Sequence, residues 1–214
     1  RWAQNWEFQA LLKARPCAGD MEVGARFLEY AAPLIWEASA RPGFVDDVRS
    51  MRAQVENSVP PKVRDSELKL GVGGLRDIEF SIQFLQLVHG RNDSQIRQRS
   101  TLGALEALSA RGYIARTDAA NLREAYAFLR TLEHRSQLLR MHRTHTLPTG
   151  LRQLERLLRS LHGVPATVEQ LQEQLRALRL RVRELHHSVF FRPIIAASAR
   201  LDEDLIHLDD QAAM

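Results

Sequence analysis

Lys69-Leu-Gly-Val-Gly-Gly-Leu-Arg-Asp-Ile-Glu-Phe-Ser-Ile-Gln-Phe-Leu-Gln-Leu-Val-His89 sets three glycines ahead of a strongly apolar run that Gly90 ends. On a helical wheel of about 100° per residue, Leu75, Ile78, Ile82 and Leu85 gather in one sector. Phe80, Phe84, Leu87 and Val88 gather in another, and a polar stripe of Arg76, Glu79, Gln83 and Gln86 runs between them. A helix that is apolar on two sides must be wedged between neighbours, and its polar stripe must find partners or line a cleft. The expected fold is therefore all-α, an antiparallel helical bundle.

The surrounding sequence has the same period. Trp2 to Ala14 reads as a helix with Trp6, Ala10 and Leu11 on one face, ended by Arg15-Pro16. Asp20 caps a second helix reaching about Ala40, with Val23, Phe27, Ala31 and Ile35 apolar, and Pro42-Gly43 breaks it. A third helix covers about Val45 to Asn57. Val59-Pro-Pro-Lys-Val-Arg-Asp-Ser66 has two prolines and no periodicity, so it reads as a linker. Beyond the glycines, helices are expected over Ser100 to Ala110, Asp118 to Met141 and Leu151 to Leu161. Leu122, Ala125, Tyr126, Leu129, Leu132, Ser136 and Leu139 form the apolar face of the long one. Thr167-Val-Glu-Gln170 has the form of a capping box. It opens a last helix reaching about Phe191, where Arg192-Pro193 stops it, and an acidic stretch follows.

Composition narrows the function classes. No apolar run approaches the roughly 20 residues that span a bilayer, so no membrane partner is expected. One cysteine, Cys17, excludes an internal disulfide and points to a reducing, cytoplasmic setting. The net charge is +4, but 30 basic residues are interleaved with 26 acidic ones and no basic block stands out. No nucleic-acid partner is expected on that pattern.

Two readings of the glycine corner stand side by side. In the structural one, Gly73 and Gly74 supply a tight turn, and Asp77 and Glu79 offset the positive helix end. Lys69 and Arg76 are then ordinary ion-pair partners. In the functional one, a phosphate sits near Gly73 and Gly74 with Lys69 and Arg76 as countercharges. Asp77 and Glu79 would order the corner or touch a metal-bound water. The spacing matches neither the Walker loop nor the dinucleotide fingerprint. His142 and His145 lack further metal ligands at suitable spacing, so no metal site is assigned. Glu133 and His134 fit either a buried polar network or solvated surface, with surface the favoured reading, and no nucleophile–base arrangement is present to carry catalysis.

At Lys69 to Phe80 the chain resembles the glutamine-synthetase adenylyltransferase family. Trp6-Glu-Phe-Gln-Ala-Leu-Leu-Lys-Ala-Arg-Pro-Cys-Ala-Gly-Asp20 is similar to the segment that closes that family's nucleotidyltransferase domain. Gln98-Arg-Ser-Thr101, Tyr126-Ala-Phe-Leu-Arg-Thr-Leu-Glu-His134, Thr146-Leu-Pro148 and Phe191-Arg-Pro193 follow in the family's order. The resemblance implies an internally duplicated enzyme. One half attaches AMP to a tyrosine of glutamine synthetase, and the other removes it by phosphorolysis. It further implies a helical domain shared with the PII-uridylyltransferases. The basic form around Arg76 resembles the N-terminal, deadenylylating half.

The implied division is terminal catalytic-domain helices over 1–58, a linker over 59–68, the bundle over 69–199 and a second linker over 200–214. The family's Gly-Ser and Asp-x-Asp metal motifs do not occur before the corner. The chain is thus expected to be a fragment, inactive alone, holding none of the parent's Mg²⁺ or ATP. Lys69, Gly73, Gly74 and Arg76 are the implied phosphate residues, with Lys13 and Arg15 behind them and Asp77 and Glu79 in support. The stripe from Arg76 to Gln86 is expected to face a catalytic domain outside this chain. Glutamine synthetase and the PII signalling protein are the implied partners. A PII-uridylyltransferase helical domain, or a non-catalytic docking module for those partners, is the alternative.

Overall fold

A computed structural model describes residues 4–161 and 167–188. Trp2, the Arg192-Pro193 stop, the 200–214 linker and the acidic stretch lie outside the described residues. Seven helices are delimited: α1 Asn5–Leu11, α2 Met21–Trp36, α3 Phe44–Asn57, α4 Leu75–His89, α5 Thr101–Ala110, α6 Arg116–Arg140 and α7 Leu151–Arg159. An eighth, α8, covers 168–188. Among the described residues there is no strand, only an isolated antiparallel bridge between Glu67 and Thr146. The fold is all-α, as the periodicity required.

Local signals set most helix starts. Asp20 accepts from the backbone N–H groups of Glu22 and Val23, and Ser100 accepts from that of Gly103. The capping box forms reciprocally: Gln170 N–H donates to Thr167 Oγ1 and Thr167 N–H to Gln170 Oε1, both at 3.3 Å. Gly90 ends α4 for a packing reason. A Cβ there would come within 2.6 Å of the Trp36 ring.

α4 is the keel. Twelve of its fifteen residues are buried. Leu75, Ile78, Ile82 and Leu85 enter a large core shared with α5, α6, α7 and α8, alongside Leu105, Leu122, Leu129, Leu157 and Leu171. Phe84 and Leu87 enter a second core with Phe8, Leu12, Ile35, Phe44 and Val48 of the first three helices. The Phe44 and Phe84 rings stack with centroids 6.0 Å apart. The first sector enters one core whole, and Phe84, Leu87 and Val88 of the second enter the other.

The first helices depart from expectation on their outer faces. α1 ends at Leu11, before Arg15-Pro16, and buries Phe8, Gln9 and Leu12 instead of Trp6 and Ala10. α2 buries Ala31 and Ile35 but exposes Val23, Phe27, Tyr30 and Leu34. Apolar periodicity marks a face; it does not say which part of that face meets a neighbour. The 59–68 stretch is pinned rather than loose. Val59 and Leu68 are buried, Leu68 N–H donates to His145 O, and Leu147 N–H donates to Ser66 O.

Candidate functional site

The glycine corner is built by close packing. Gly73 has φ of +70°, and a Cβ there would lie 2.1 Å from the carbonyl oxygen of Arg179 on α8. Gly74 has φ of −89°, so it needs no left-handed freedom. A Cβ on Gly74 would crowd the carbonyls of Gly71 and Leu68, both at 2.8 Å. Arg179 then locks the loop. Its guanidinium donates to the carbonyls of Arg64, Asp65, Glu67 and Val72, at 2.9–3.1 Å. What approaches Gly73 is α8, while Gly74 is closed in by its own turn.

The N–H groups at the start of α4 are likewise taken. Gly73 N–H donates to Asp77 Oδ2 at 2.7 Å, Gly74 N–H to Gly71 O, Leu75 N–H to Leu68 O and Arg76 N–H to Lys69 O. A phosphate near Gly73 and Gly74 would therefore be met by side chains rather than by these backbone donors. The glycine N–H donors serve the turn itself, leaving no open anion nest. Asp77 is consumed as well. It is 1% exposed and takes the Arg52 guanidinium of α3 through Nε at 2.5 Å and through a second nitrogen.

Side chains, not backbone, gather charge at the other edge of α4. Glu79 is buried and receives Arg130 of α6 at 2.8 Å, Arg76 at 3.6 Å and Lys13, just after α1, at 3.9 Å. Lys13 also donates to Thr101 Oγ1 at 2.9 Å. Arg130 extends the network to Glu133 at 2.7 Å, and Glu133 meets His145 Nδ1 at 2.6 Å. Glu133 was read as surface; it is 2% exposed and belongs to this network, while His134 beside it is exposed.

The electrostatics follow from that crowding. Burial lowers the Lys13 pKa; Glu79 opposes the shift, and Arg130, Arg76 and Lys69 reinforce it. Burial works against the Arg130 charge, but hydrogen bonds to Tyr126 and Glu133 outweigh it and raise its pKa. Burial would raise Glu133, yet Arg130 and His145 hold its carboxyl below the usual range. Three cations, Lys13, Arg76 and Arg130, thus share Glu79 and Glu133, and the charge of Lys69 acts on Lys13. Lys69 makes no ion pair among the described residues, and the Arg76 and Lys13 side chains remain 36% and 39% exposed. The seam has spare positive charge facing solvent.

Of the sequence-derived site residues, the structure brings together Lys13, Arg76, Glu79 and, by proximity of charge, Lys69. Arg15 is exposed and makes no ion pair with them. The stripe beyond Glu79 is covered by this chain itself, which corrects the expectation that it faces an outside domain. Gln83 accepts from Gln9 of α1 at 2.8 Å, and Gln86 donates to the carbonyls of Ile96 and Gln98. Sequence reasoning missed Arg130, Arg52 and Arg179. Arg130 lies inside a stretch singled out for its resemblance, four residues after Tyr126 and so on the same helix face. Arg52 and Arg179 carried no local signal. Among the described residues no group of three or more His, Cys, Asp or Glu could hold a metal ion.

Fold and site define a class: an all-α helical domain with a locked glycine corner, flanked by an N-terminal helical layer and a cation-rich seam. Residues 49–190 match the family model described as GlnD PII-uridylyltransferase. The chain is 49% identical over 223 aligned residues to the bifunctional glutamine synthetase adenylyltransferase/adenylyl-removing enzyme of Nocardia farcinica. That alignment covers 100% of this chain and 22% of the relative. The like-named protein of Streptomyces coelicolor is 50% identical over 213 residues, covering 100% of this chain and 21% of the relative. That of Mycobacterium bovis is 47% identical, covering 97% of this chain and 21% of the relative. The chain belongs to the family of that model and, within it, resembles one part of these bifunctional enzymes. It spans about a fifth of the length of the curated relatives it matches.

Proposed function

We propose that this chain is the part of a bifunctional glutamine synthetase adenylyltransferase/adenylyl-removing enzyme that supplies countercharge to the phosphoryl groups in its deadenylylating, N-terminal half. The carrying observation is the Glu79 seam, where Lys13, Arg76 and Arg130 converge from three elements and Lys69, which makes no ion pair among the described residues, adds its charge. In this reading residues 1–58 close the catalytic domain, 59–68 strap it down, and 69–199 form the helical domain. The seam lies where the two meet, so it can present charge to a ligand held from the catalytic side.

The reaction removes AMP from a tyrosine of glutamine synthetase by phosphorolysis. Phosphate attacks the AMP phosphorus, the bond to the tyrosine oxygen breaks, and ADP leaves with free tyrosine. Charge accumulates on the phosphoryl oxygens along that path, and positioned cations stabilise it. Glu79 holds Arg130, Arg76 and Lys13 together, and Lys69 adds a further countercharge, with exposed Arg15 at the margin. Among the described residues no group of three or more His, Cys, Asp or Glu could hold a metal ion; Mg²⁺ and ATP are the parent enzyme's, and what these cations suit is inorganic phosphate and the AMP phosphoryl group. Glutamine synthetase is the substrate protein. The PII signalling protein is the regulatory partner that the shared helical family supports, and the cytoplasm is the setting.

The test uses the whole parent enzyme with Lys69→Ala, Arg76→Ala and Arg130→Ala singly, assayed for phosphorolysis of adenylylated glutamine synthetase. Each variant is expected to raise the KM for phosphate by about tenfold, roughly the loss of one charge-assisted contact. Adenylylation by the other half should be unchanged. An unaltered phosphate KM in all three would overturn the proposal.

A further inference from the structure

The segments over 98–101 and 126–134 meet at the edge of the seam, through Thr101 and Tyr126. Ser100 caps α5 by accepting from Gly103 N–H, which sets Thr101 as the first residue of the helix. Thr101 is buried, and its Oγ1 accepts from Lys13 Nζ at 2.9 Å across 88 positions of sequence. Tyr126 Oη lies 3.4 Å from the same oxygen and 3.4 Å from Glu79 Oε1, and it accepts from Arg130 Nε at 3.1 Å.

The distances set Lys13 apart from Arg130. Arg130 bonds Glu79 Oε1 directly at 2.8 Å. The Lys13 ammonium stands 3.9 Å from the same oxygen, beyond hydrogen-bond range. Its hydrogen-bond partner among the described residues is the neutral Thr101 hydroxyl. An ammonium carries three N–H donors, so donors remain for a ligand, and the side chain is 39% exposed. A hydroxyl acceptor fixes the direction of the ammonium without cancelling its charge. A carboxylate in the same place would cancel it.

We propose that Thr101 is a positioning residue, whose hydroxyl holds the Lys13 ammonium off Glu79 and ready for a phosphoryl oxygen. This role rests on the seam being the phosphoryl countercharge. Tyr126 backs the arrangement. The Arg130 guanidinium lies over its ring, 5.2 Å from the centroid, and its single hydroxyl hydrogen serves either Glu79 or Thr101. Without the Thr101 hydroxyl, the ion-pair partner left to Lys13 is Glu79. The ammonium then closes onto the carboxylate and is lost to the ligand. The role belongs to the oxygen and not to the β-branched shape, so serine suffices and valine does not.

The test measures the KM for inorganic phosphate in the whole parent enzyme as it phosphorolyses adenylylated glutamine synthetase. Thr101→Val keeps the shape and removes the hydroxyl, and should raise that KM about fivefold, the scale of one hydrogen bond. Thr101→Ser should keep the wild-type value. Lys13→Ala should raise it about tenfold. Adding Thr101→Val to Lys13→Ala should raise it no further, because a residue that acts through Lys13 has nothing to act on once Lys13 is gone. A merely structural threonine would shift KM alike in both backgrounds. An unaltered KM in Thr101→Val or in Lys13→Ala, a full additional effect in the double variant, or a loss shared by Thr101→Ser would each overturn the role of Thr101. Lys69→Ala, Arg76→Ala and Arg130→Ala report on the seam itself. If they raise KM and Thr101→Val does not, the seam stands and the positioning role falls; if none does, both fall.

Discussion

Asp77 and Glu79 stand two residues apart on α4, and both are buried, yet their surroundings are opposite. Asp77 meets one buried arginine, Arg52, and one backbone N–H at the glycine turn. Its negative charge is used up inside the protein. Glu79 is shared by three cations from three elements, each about a third exposed. The first arrangement fixes the turn. The second leaves charge over and opens toward solvent. A carboxylate that closes its own balance is structural; one that holds a surplus of opposite charge in place makes a surface suited to anions.

The largest expected effect breaks the structural side. Gly73→Ala places a Cβ against the Arg179 backbone at a position with positive φ. The left-handed conformation costs about 1–2 kcal/mol and overpacking about 1–3, so a loss of about 3 kcal/mol or more is expected in urea denaturation. A loss below about 1 kcal/mol would mean that α8 is not seated on the corner as described.

Next, Asp77→Asn should cost about 3 kcal/mol, because it leaves the buried Arg52 without its counter-ion. Glu79→Gln should cost less, about 1–2 kcal/mol, since Lys13 and Arg76 can rehydrate. Equal losses, compared by thermal and urea unfolding, would erase the contrast between the two carboxylates.

A smaller effect is pH-dependent. Glu133 is held below its ordinary value near 4.5, so its contribution is present above that pH and is lost as pH falls through the lower folded value. The difference in stability between wild type and Glu133→Gln should therefore shrink on acidification below about 4.5. A difference that stays constant to pH 3 would place Glu133 outside the Arg130 network.

The smallest effect has the opposite sign. Burial, with neighbouring Arg130, Arg76 and Lys69, lowers the Lys13 pKa despite Glu79. A lysine whose folded pKa lies below its unfolded value opposes folding at neutral pH. That opposition fades as pH rises from the folded value toward 10.5. Lys13→Met should accordingly leave Tm unchanged or slightly raised at pH 7, and the wild type should gain on the variant as the solution becomes alkaline. A clear fall in Tm at pH 7 would make Lys13 a stabilising ion-pair partner and remove one cation from the proposed surplus.

The two sectors of α4 were legible because helical periodicity assigns side chains to faces without any tertiary knowledge. The same rule misread α1 and the outer half of α2. There Trp6, Val23 and Phe27 have the right spacing but no described neighbour to bury them. Lys13, Arg76 and Glu79 were identifiable from the corner and its resemblance. Arg52 and Arg179 were not, because they lie 25 and 107 residues from the groups they bind. The glycine corner misled for a related reason. Three glycines announce close approach of something, and both a ligand and a helix satisfy that.

Periodicity, caps and the two-sided apolar helix determined an all-α fold from the sequence alone, since each is a local rule acting over a few residues. The tertiary structure decided which charges meet. It closed the backbone donors of the corner with Asp77 and the turn's own carbonyls, seated Arg179 of α8 on the carbonyls of the loop, and covered the Gln83–Gln86 stripe with the chain's own groups. It also left the cations around Glu79 in excess. Charge pairing depends on distances across the fold and on exclusion of water, and a linear sequence encodes neither directly.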